Sequence, residues 1–83
     1  MEKYIVIEYN VTDERVNNIK FFDTLEDANS YCSKKVHDLY DSYIKDGYPE
    51  DMWEIEEDYL YEYTFRHYDD RYVTKWHIER VEI

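Results

Sequence analysis

The chain has 83 residues and carries 21 acidic against 10 basic side chains, a formal net charge of −11. This length suffices for one domain with a modest core and leaves little room for a deep substrate cleft, so residues 1–83 are expected to form a single domain. Hydrophobic residues make up 43% and aromatic residues 19% of the sequence, which excludes a disordered acidic tail and places the charge on a folded surface.

The first part of the chain predicts two β-strands. Residues 3–11 consist of strong β-formers with a period of two, which places Ile5, Ile7, Tyr9 and Val11 on one face and Tyr4, Val6, Glu8 and Asn10 on the other, and residues 16–22 alternate again. The segment between them, residues 12–15, is polar throughout. This pattern predicts a β-hairpin.

A long helix is predicted next, from about Leu25 to Asp46. Thr24 is placed as its N-cap, where a hydroxyl accepts hydrogen bonds from the first backbone N–H groups. Gly47 can adopt the left-handed C-terminal conformation, and Pro49 prevents the helix from continuing. Apolar residues recur at spacings of three and four and define one buried stripe: Leu25, Ala28, Cys32, Val36, Leu39 and Tyr43.

The remainder of the chain predicts two further strands. The segment Trp53–Arg66 alternates and is predicted as one strand, bulged near Glu57 and Asp58. A short helical turn over residues 50–57 is the alternative, because a proline followed by two acids is typical of a helix N-terminus. Residues 72–83 alternate as well, and residues 67–71 are predicted as the turn that joins the two strands.

Taken in chain order, these elements predict an α+β fold of the type ββαββ. Its sheet is expected to be four-stranded and antiparallel, with the one long helix packed on one face. We expect the helix stripe to be buried against the apolar strand residues Ile5, Ile7, Ile19 and Phe21, which leaves the opposite sheet face free.

The negative charge is concentrated in one window. Residues 46–65 contain eight carboxylates and no Lys or Arg, so most of the net charge lies there. On a strand, residues i and i+2 point the same way about 6.6–6.8 Å apart, which would align the carboxylates in rows, much as a duplex aligns its phosphates. The predicted partner-binding acids are Glu50, Asp51, Glu54, Glu56, Glu57, Asp58 and Glu62.

A field of this kind favours a basic partner protein and disfavours direct binding to nucleic acid or to anionic membranes. The alternative is that the acidic run is a solvated face that only keeps the protein soluble. Tyr59, Tyr61 and Tyr63 alternate within the same window and are predicted to face Trp76 across a hairpin. The resulting aromatic sheet face is either the second half of the core or an exposed contact surface for a partner or a homodimer.

No catalytic, cofactor or metal signature is present, so we expect a non-enzyme without cofactor or metal. Cys32 falls on the buried helix stripe, as a structural cysteine does. His37 and Asp41 share a helix face but lack the further ligands of a metal site. A single cysteine and the absence of a signal sequence or long apolar run favour a cytoplasmic protein, with no membrane segment.

In its size, concentrated acidity, tyrosine richness and lack of catalytic residues, the chain resembles the small acidic proteins that phages make against host defence. These are anti-restriction DNA mimics and anti-CRISPR proteins. The resemblance implies an inhibitor, acting in the host cytoplasm, that occupies a basic nucleic-acid-binding surface of a defence complex. The alternative function is a small oligomeric or scaffold protein whose aromatic sheet face forms a subunit interface.

Overall fold

A five-stranded antiparallel sheet, covered on one face by a single helix, accounts for the part of the chain that the computed structural model describes. That part comprises residues 2–58, 61–67 and 72–82, without the side chain of Asp58. The strand order across the sheet is β2-β1-β5-β4-β3. The elements are β1 (Glu2–Asn10), β2 (Arg15–Phe22), α1 (Leu25–Lys45), a 3₁₀ turn (Glu50–Met52), β3 (Trp53–Asp58), β4 (Glu62–His67) and β5 (Val73–Glu82). The α+β class is confirmed.

The four-stranded prediction is wrong, because the segment predicted as one strand folds into the two strands β3 and β4. These form an antiparallel pair with Asp58 opposite Glu62. Three residues lie between these two positions, so odd-numbered residues occupy the same sheet face in β3 and in β4. The core-facing positions therefore keep the spacing that they would have in one unbroken strand, and no Gly, Pro or Asn interrupts the sequence between the two strands. The fold is ββαβββ, and the alternative helical turn exists but ends at Met52.

The helix prediction is confirmed to within one residue. The Thr24 side chain accepts a hydrogen bond from the Asp27 N–H at 3.1 Å, and Gly47 has a φ of 96°. Both caps act locally, which is why sequence spacing was enough to place them. The predicted stripe faces the sheet, with Ala28, Cys32 and Val36 fully buried and the other members half-buried against the same core.

The helix covers the sheet face opposite to the one predicted. Val6 is buried beneath it, whereas Ile19 and Phe21 lie on the open face and are 53% and 62% exposed. The reason lies in the pairing with β5. Val6 stands opposite Ile78, whereas Ile7 stands opposite His77. The face of β1 that joins the core is thus set by its neighbouring strand.

Large aromatic residues of β4 and β5 complete the core under α1. Tyr63 and Trp76 stand opposite each other and are 1% and 2% exposed. Their polar atoms are satisfied, because the Tyr63 hydroxyl donates to Asn29 Oδ1 and Trp76 Nε1 donates to Glu8 Oε1, both at 2.8 Å. The aromatic sheet face is therefore the second half of the core.

Candidate protein-binding surface

The acidic window begins at the end of α1 and continues along β3, which is an edge strand of the sheet. Trp53 and Ile55 of β3 pack toward the core, so Glu54 and Glu56 point to the open face and are exposed. Glu57 points to the helix side, where its Oε1 lies 2.7 Å from His37 Nε2. The acids of β3 thus divide between the two faces of the sheet.

Two of the predicted acids on the open face are paired with bases from neighbouring strands. Glu56 Oε1 lies 3.0 Å from Arg66 Nη1, and Glu62 Oε1 lies 3.0 Å from Lys75 Nζ. His77 Nδ1 is a further 3.7 Å contact of Glu62. Half-exposed pairs of this kind add little stability, but they reduce the local negative field. The row of carboxylates on this face is partly neutralised.

Four other acids of the window form what we call the acidic corner: Asp46, Glu50, Asp51 and Glu54. All four are exposed, and within the described ranges none has a basic side chain at ion-pairing distance. They occupy the C-terminal end of α1, the 3₁₀ turn and the start of β3. The helix C-terminus adds its own partial negative charge at this place. The strongest negative field is therefore expected at this corner.

An aromatic pocket lies beside the acidic corner, lined by Tyr43, Tyr48, Met52, Trp53, His67 and Tyr72. Its centre is Tyr43, whose ring centroid lies 4.4 Å from that of Trp53 and 5.4 Å from that of Tyr48. Tyr48 is 50% exposed at the rim. Burial, aided by neighbouring tyrosines and by Asp46, raises the pKa of Tyr43 and keeps its phenol neutral.

One residue that lines the pocket has a buried hydrogen-bond donor. Trp53 is 8% exposed, and its Nε1 has no acceptor among the described residues. Aromatic faces beside carboxylates suit the basic side chain of a protein partner, through cation–π contact and ion pairing. The indole Nε1 atom is itself buried, so Trp53 can contribute its ring face to such a contact but not its N–H.

The predicted aromatic contacts do not come together on a surface. Tyr63 and Trp76 are in the core, Tyr61 is 53% exposed next to β4, and Tyr59 lies outside the described residues, as does the side chain of Asp58. The sequence interpretation missed Tyr48 and Tyr72 as neighbours of the acids. One signal was available in the sequence: Trp53 follows Asp51 by two residues and directly precedes Glu54, which indicates an aromatic side chain close to the acids.

Cys32 is completely buried, and burial raises the pKa of its thiol to about 12. The thiol therefore stays protonated and unreactive at neutral pH, and the interpretation as a structural cysteine is confirmed. Among the described residues, no three His, Cys, Asp or Glu side chains are grouped closely enough to hold a metal ion. Within the same residues, no helix combines the length and the apolar character needed to cross a membrane.

Comparison of the chain with protein-family models, with curated proteins and with solved structures finds no match. Function is accordingly inferred from the acidic corner and the aromatic pocket.

Proposed function

We propose that this protein is a cytoplasmic inhibitor or binding module that occupies the basic nucleic-acid-binding surface of a partner protein. It does so by presenting carboxylates where the partner would hold phosphates, and its partner is a bacterial defence complex of the CRISPR or restriction type. The proposal includes no enzymatic activity and no direct binding to nucleic acid or membrane. The observation that carries it is the acidic corner.

The acidic corner supports the proposal through its charge and its rigidity. Its four carboxylates lie on a helix end, a 3₁₀ turn and a strand, so their arrangement does not have to be ordered on binding. Because no base of the described chain neutralises them, they are available to the Lys and Arg residues of a partner. Such a concentrated field accelerates association with a basic surface, with a strong dependence on ionic strength.

The aromatic pocket supports the same proposal by supplying an anchor. Tyr and Trp side chains contribute most where they are held in place before binding, and Tyr43 holds both Tyr48 and Trp53 by ring contacts. A Lys or Arg side chain that enters the pocket meets aromatic faces and, beside them, the acids Glu50 and Asp51 that directly precede Met52.

The alternative function, an oligomer joined through the aromatic sheet face, is not supported, because this face is covered by α1. It requires Tyr63 and Trp76 to be exposed in the isolated chain, and both are buried beneath α1. We therefore do not propose it.

The test uses two variants with equal changes of net charge. Glu50→Lys with Glu54→Lys reverses two charges of the acidic corner, whereas Asp13→Lys with Glu82→Lys reverses two exposed acids elsewhere. Wild type and both variants are immobilised and exposed to bacterial lysate, and bound proteins are challenged with duplex DNA or structured RNA. We expect wild type and the control to capture a basic protein that nucleic acid displaces.

For that captured protein, the corner variant should bind at least tenfold more weakly than the control, a difference of about 1.4 kcal/mol. Equal losses from both variants would reduce the effect to net charge and refute the proposal. A partner that keeps its nucleic acid at full affinity while bound to this protein would refute it as well.

A further inference from the structure

The helix crosses the sheet from one edge strand to the other. In its first half, Tyr31 packs against Phe22 of β2, with ring centroids 5.1 Å apart. In its last turn, Tyr43 packs against Trp53 of β3 at the opposite edge. Because the helix moves away from β2 along its length, it leaves a groove between its C-terminal half and the strands β1 and β5.

This groove, which we call the helix groove, has a volume of about 340 Å³. That volume is at the lower end of the range for small-molecule sites. The lining combines apolar and aromatic side chains with charged groups of both signs, and includes Glu8, Lys35, Asp38, Leu39, Tyr72 and Trp76. A ligand that fits it is therefore small and has apolar as well as charged parts.

The sheet side of the helix groove carries a carboxylate without a counter-ion. Glu8 is half-buried, and its Oε1 accepts the hydrogen bond from Trp76 Nε1. Within residues 2–58, 61–67 and 72–82, no basic side chain lies at ion-pairing distance from Glu8. Asp38 adds a second carboxylate from the helix, and its pair with Lys34 is long, at 3.8 Å. These two acids favour a cationic group on the ligand.

The helix side of the same groove carries an ammonium group without a counter-ion. Lys35 Nζ lies 5.6 Å from the centre of the Tyr31 ring, and Lys20 Nζ lies 5.0 Å from the same ring. Neither lysine has a carboxylate at ion-pairing distance in the described part of the chain. Two cations beside one ring repel each other, so Lys35 favours an anionic group on the ligand.

Glu8 and Lys35 line the same groove but do not pair with each other. Charge-assisted hydrogen bonds are about 2.7–2.9 Å long, so a ligand that lies between the two groups can contact both. We propose that the helix groove binds an α-amino acid with an apolar side chain. Its ammonium group pairs with Glu8, its carboxylate pairs with Lys35, and its side chain lies against Leu39 and Tyr72.

Ligands of a single charge fit the groove less well. A purely cationic ligand meets the ammonium group of Lys35, and a purely anionic ligand meets the carboxylates of Glu8 and Asp38. An anion is also repelled by the net charge of −11, whereas a zwitterion is neutral overall. The pattern of charges thus selects a ligand that carries both signs.

This site does not rest on the proposed function. The helix groove lies between α1, β1 and β5, whereas the acidic corner lies at the end of α1, the 3₁₀ turn and the start of β3. Tyr72 lines both the helix groove and the aromatic pocket. Binding of an amino acid is nevertheless measured on the purified protein without a partner, so either property can fail while the other holds.

The indole N–H of Trp76 provides a reporter, because it donates to Glu8. In nitrogen–proton correlation spectra, we expect L-leucine to shift this signal saturably, with a dissociation constant near or below about 1 mM for so small a ligand. Trp53 does not line the groove, so its indole signal is the internal reference, and Trp53→Phe identifies which signal is which. A Trp76 signal that does not shift saturably would refute the site.

Two analogues of leucine separate the two charges. Leucinamide lacks the carboxylate, and isocaproate lacks the ammonium group. Each should bind about fivefold more weakly than L-leucine or worse, because each loses one charged contact. Leucinamide that binds as well as L-leucine would show a site for cations only. Isocaproate that binds as well would show a site for anions only, and either result would refute the proposal.

Two variants test the assigned contacts. Glu8→Gln keeps a side-chain oxygen that accepts from Trp76, so the fold should be retained, as checked by the melting temperature. Glu8→Gln and Lys35→Gln should each weaken binding of L-leucine about fivefold or more. Lys45→Gln, which changes an exposed lysine of the same helix outside the groove, should not.

The analogues and the variants together assign each charge to its partner. Lys35→Gln should not weaken binding of leucinamide, and Glu8→Gln should not weaken binding of isocaproate, because the ligand group in question is already absent. If Lys35→Gln weakens leucinamide as much as L-leucine, the contact between Lys35 and the ligand carboxylate is refuted. Equal losses of L-leucine binding from Lys45→Gln and Lys35→Gln would refute it as well.

Discussion

At the scale of single residues, the core is distinguished by buried polar atoms that have specific partners. The indole of Trp76 lies in the core, but its N–H reaches the half-buried carboxylate of Glu8 on the neighbouring strand. The two groups depend on each other, because a buried carboxylate or indole N–H without its partner loses hydration without compensation.

This dependence can be measured by a double-mutant cycle. Trp76→Phe should lower the free energy of unfolding by about 2–4 kcal/mol, because it removes packing volume and leaves Glu8 without a donor. Adding Glu8→Leu to this variant should restore part of the loss, since both polar groups are then absent. The free energies come from urea denaturation, and additive effects of the two substitutions would contradict the coupling.

Cys32 gives a prediction about stability at high pH. Burial raises the pKa of its thiol from an ordinary value of 9.0 to about 12, so at a pH between these values the folded chain holds a proton that the unfolded chain releases. The unfolded state is therefore favoured progressively as the pH rises from about 9 toward 12, whereas the contribution is constant below this range.

Cys32→Ala should remove this component. At pH 7 the variant should be less stable by about 1–2 kcal/mol, because it leaves a small cavity in the helix stripe. Between pH 7 and pH 11 it should lose less stability than wild type, as followed by denaturation at each pH. Parallel losses in the two proteins would show that Cys32 ionisation does not contribute.

At the scale of elements, the two edges of the sheet differ in how they avoid association. The β3 edge exposes Glu54 and Glu56 on the open face, whereas the β2 edge exposes Ile19 and Phe21 there. The acids of β3 can therefore serve two purposes, protection of an edge strand and recognition of a basic partner. Recognition of a basic partner depends on the acidic corner as a whole, whereas protection of the edge depends only on the acids of β3.

The protective role predicts a change in solubility with little change in stability. Glu54→Val together with Glu56→Val should alter the free energy of unfolding by less than about 1 kcal/mol, because both side chains are exposed and the pair with Arg66 is weak. The variant should aggregate faster, as followed by light scattering. Asp13→Val with Glu82→Val is the matched control, and equal aggregation by the control would contradict a specific role of the β3 edge.

At the scale of the whole molecule, the balance of charge predicts how stability depends on salt. The chain has a net charge of −11, and the acidic corner is without ion pairs in the described part of the chain. Folding brings these charges together, and at physiological ionic strength screening acts over about 8 Å. Moderate NaCl should therefore raise the melting temperature.

The corner variant provides the comparison for this effect. Glu50→Lys with Glu54→Lys removes part of the repulsion, so its melting temperature should rise less with NaCl than that of wild type. A wild-type melting temperature that falls between low and physiological salt would show instead that attractive pairs such as Glu62 with Lys75 dominate the electrostatics.

The acidic segment, the long helix and most strand positions could be recognised from the sequence, because their signals are local. Thr24 and Gly47 cap the helix through contacts a few residues away, and the spacing of Ala28, Cys32 and Val36 defines its buried stripe without reference to the sheet. A period of two likewise marks a strand wherever it occurs. The sequence alone therefore determined the α+β class and the place of Cys32 in the core.

Tertiary structure alone decided where β3 ends, which sheet face α1 covers and which acids stay unpaired. The core-facing residues are odd-numbered both in β3 and in β4, so only the pairing of these strands with each other separates them. Both faces of β1 carry apolar residues, and the choice falls to Val6 because it stands opposite Ile78, far along the chain. Glu54 and Glu56 look alike in sequence, and Glu54 is the residue directly opposite Arg66, but of these two acids it is Glu56 that forms the ion pair with Arg66. These outcomes depend on strand register, a long-range property that hydrophobic periodicity does not encode.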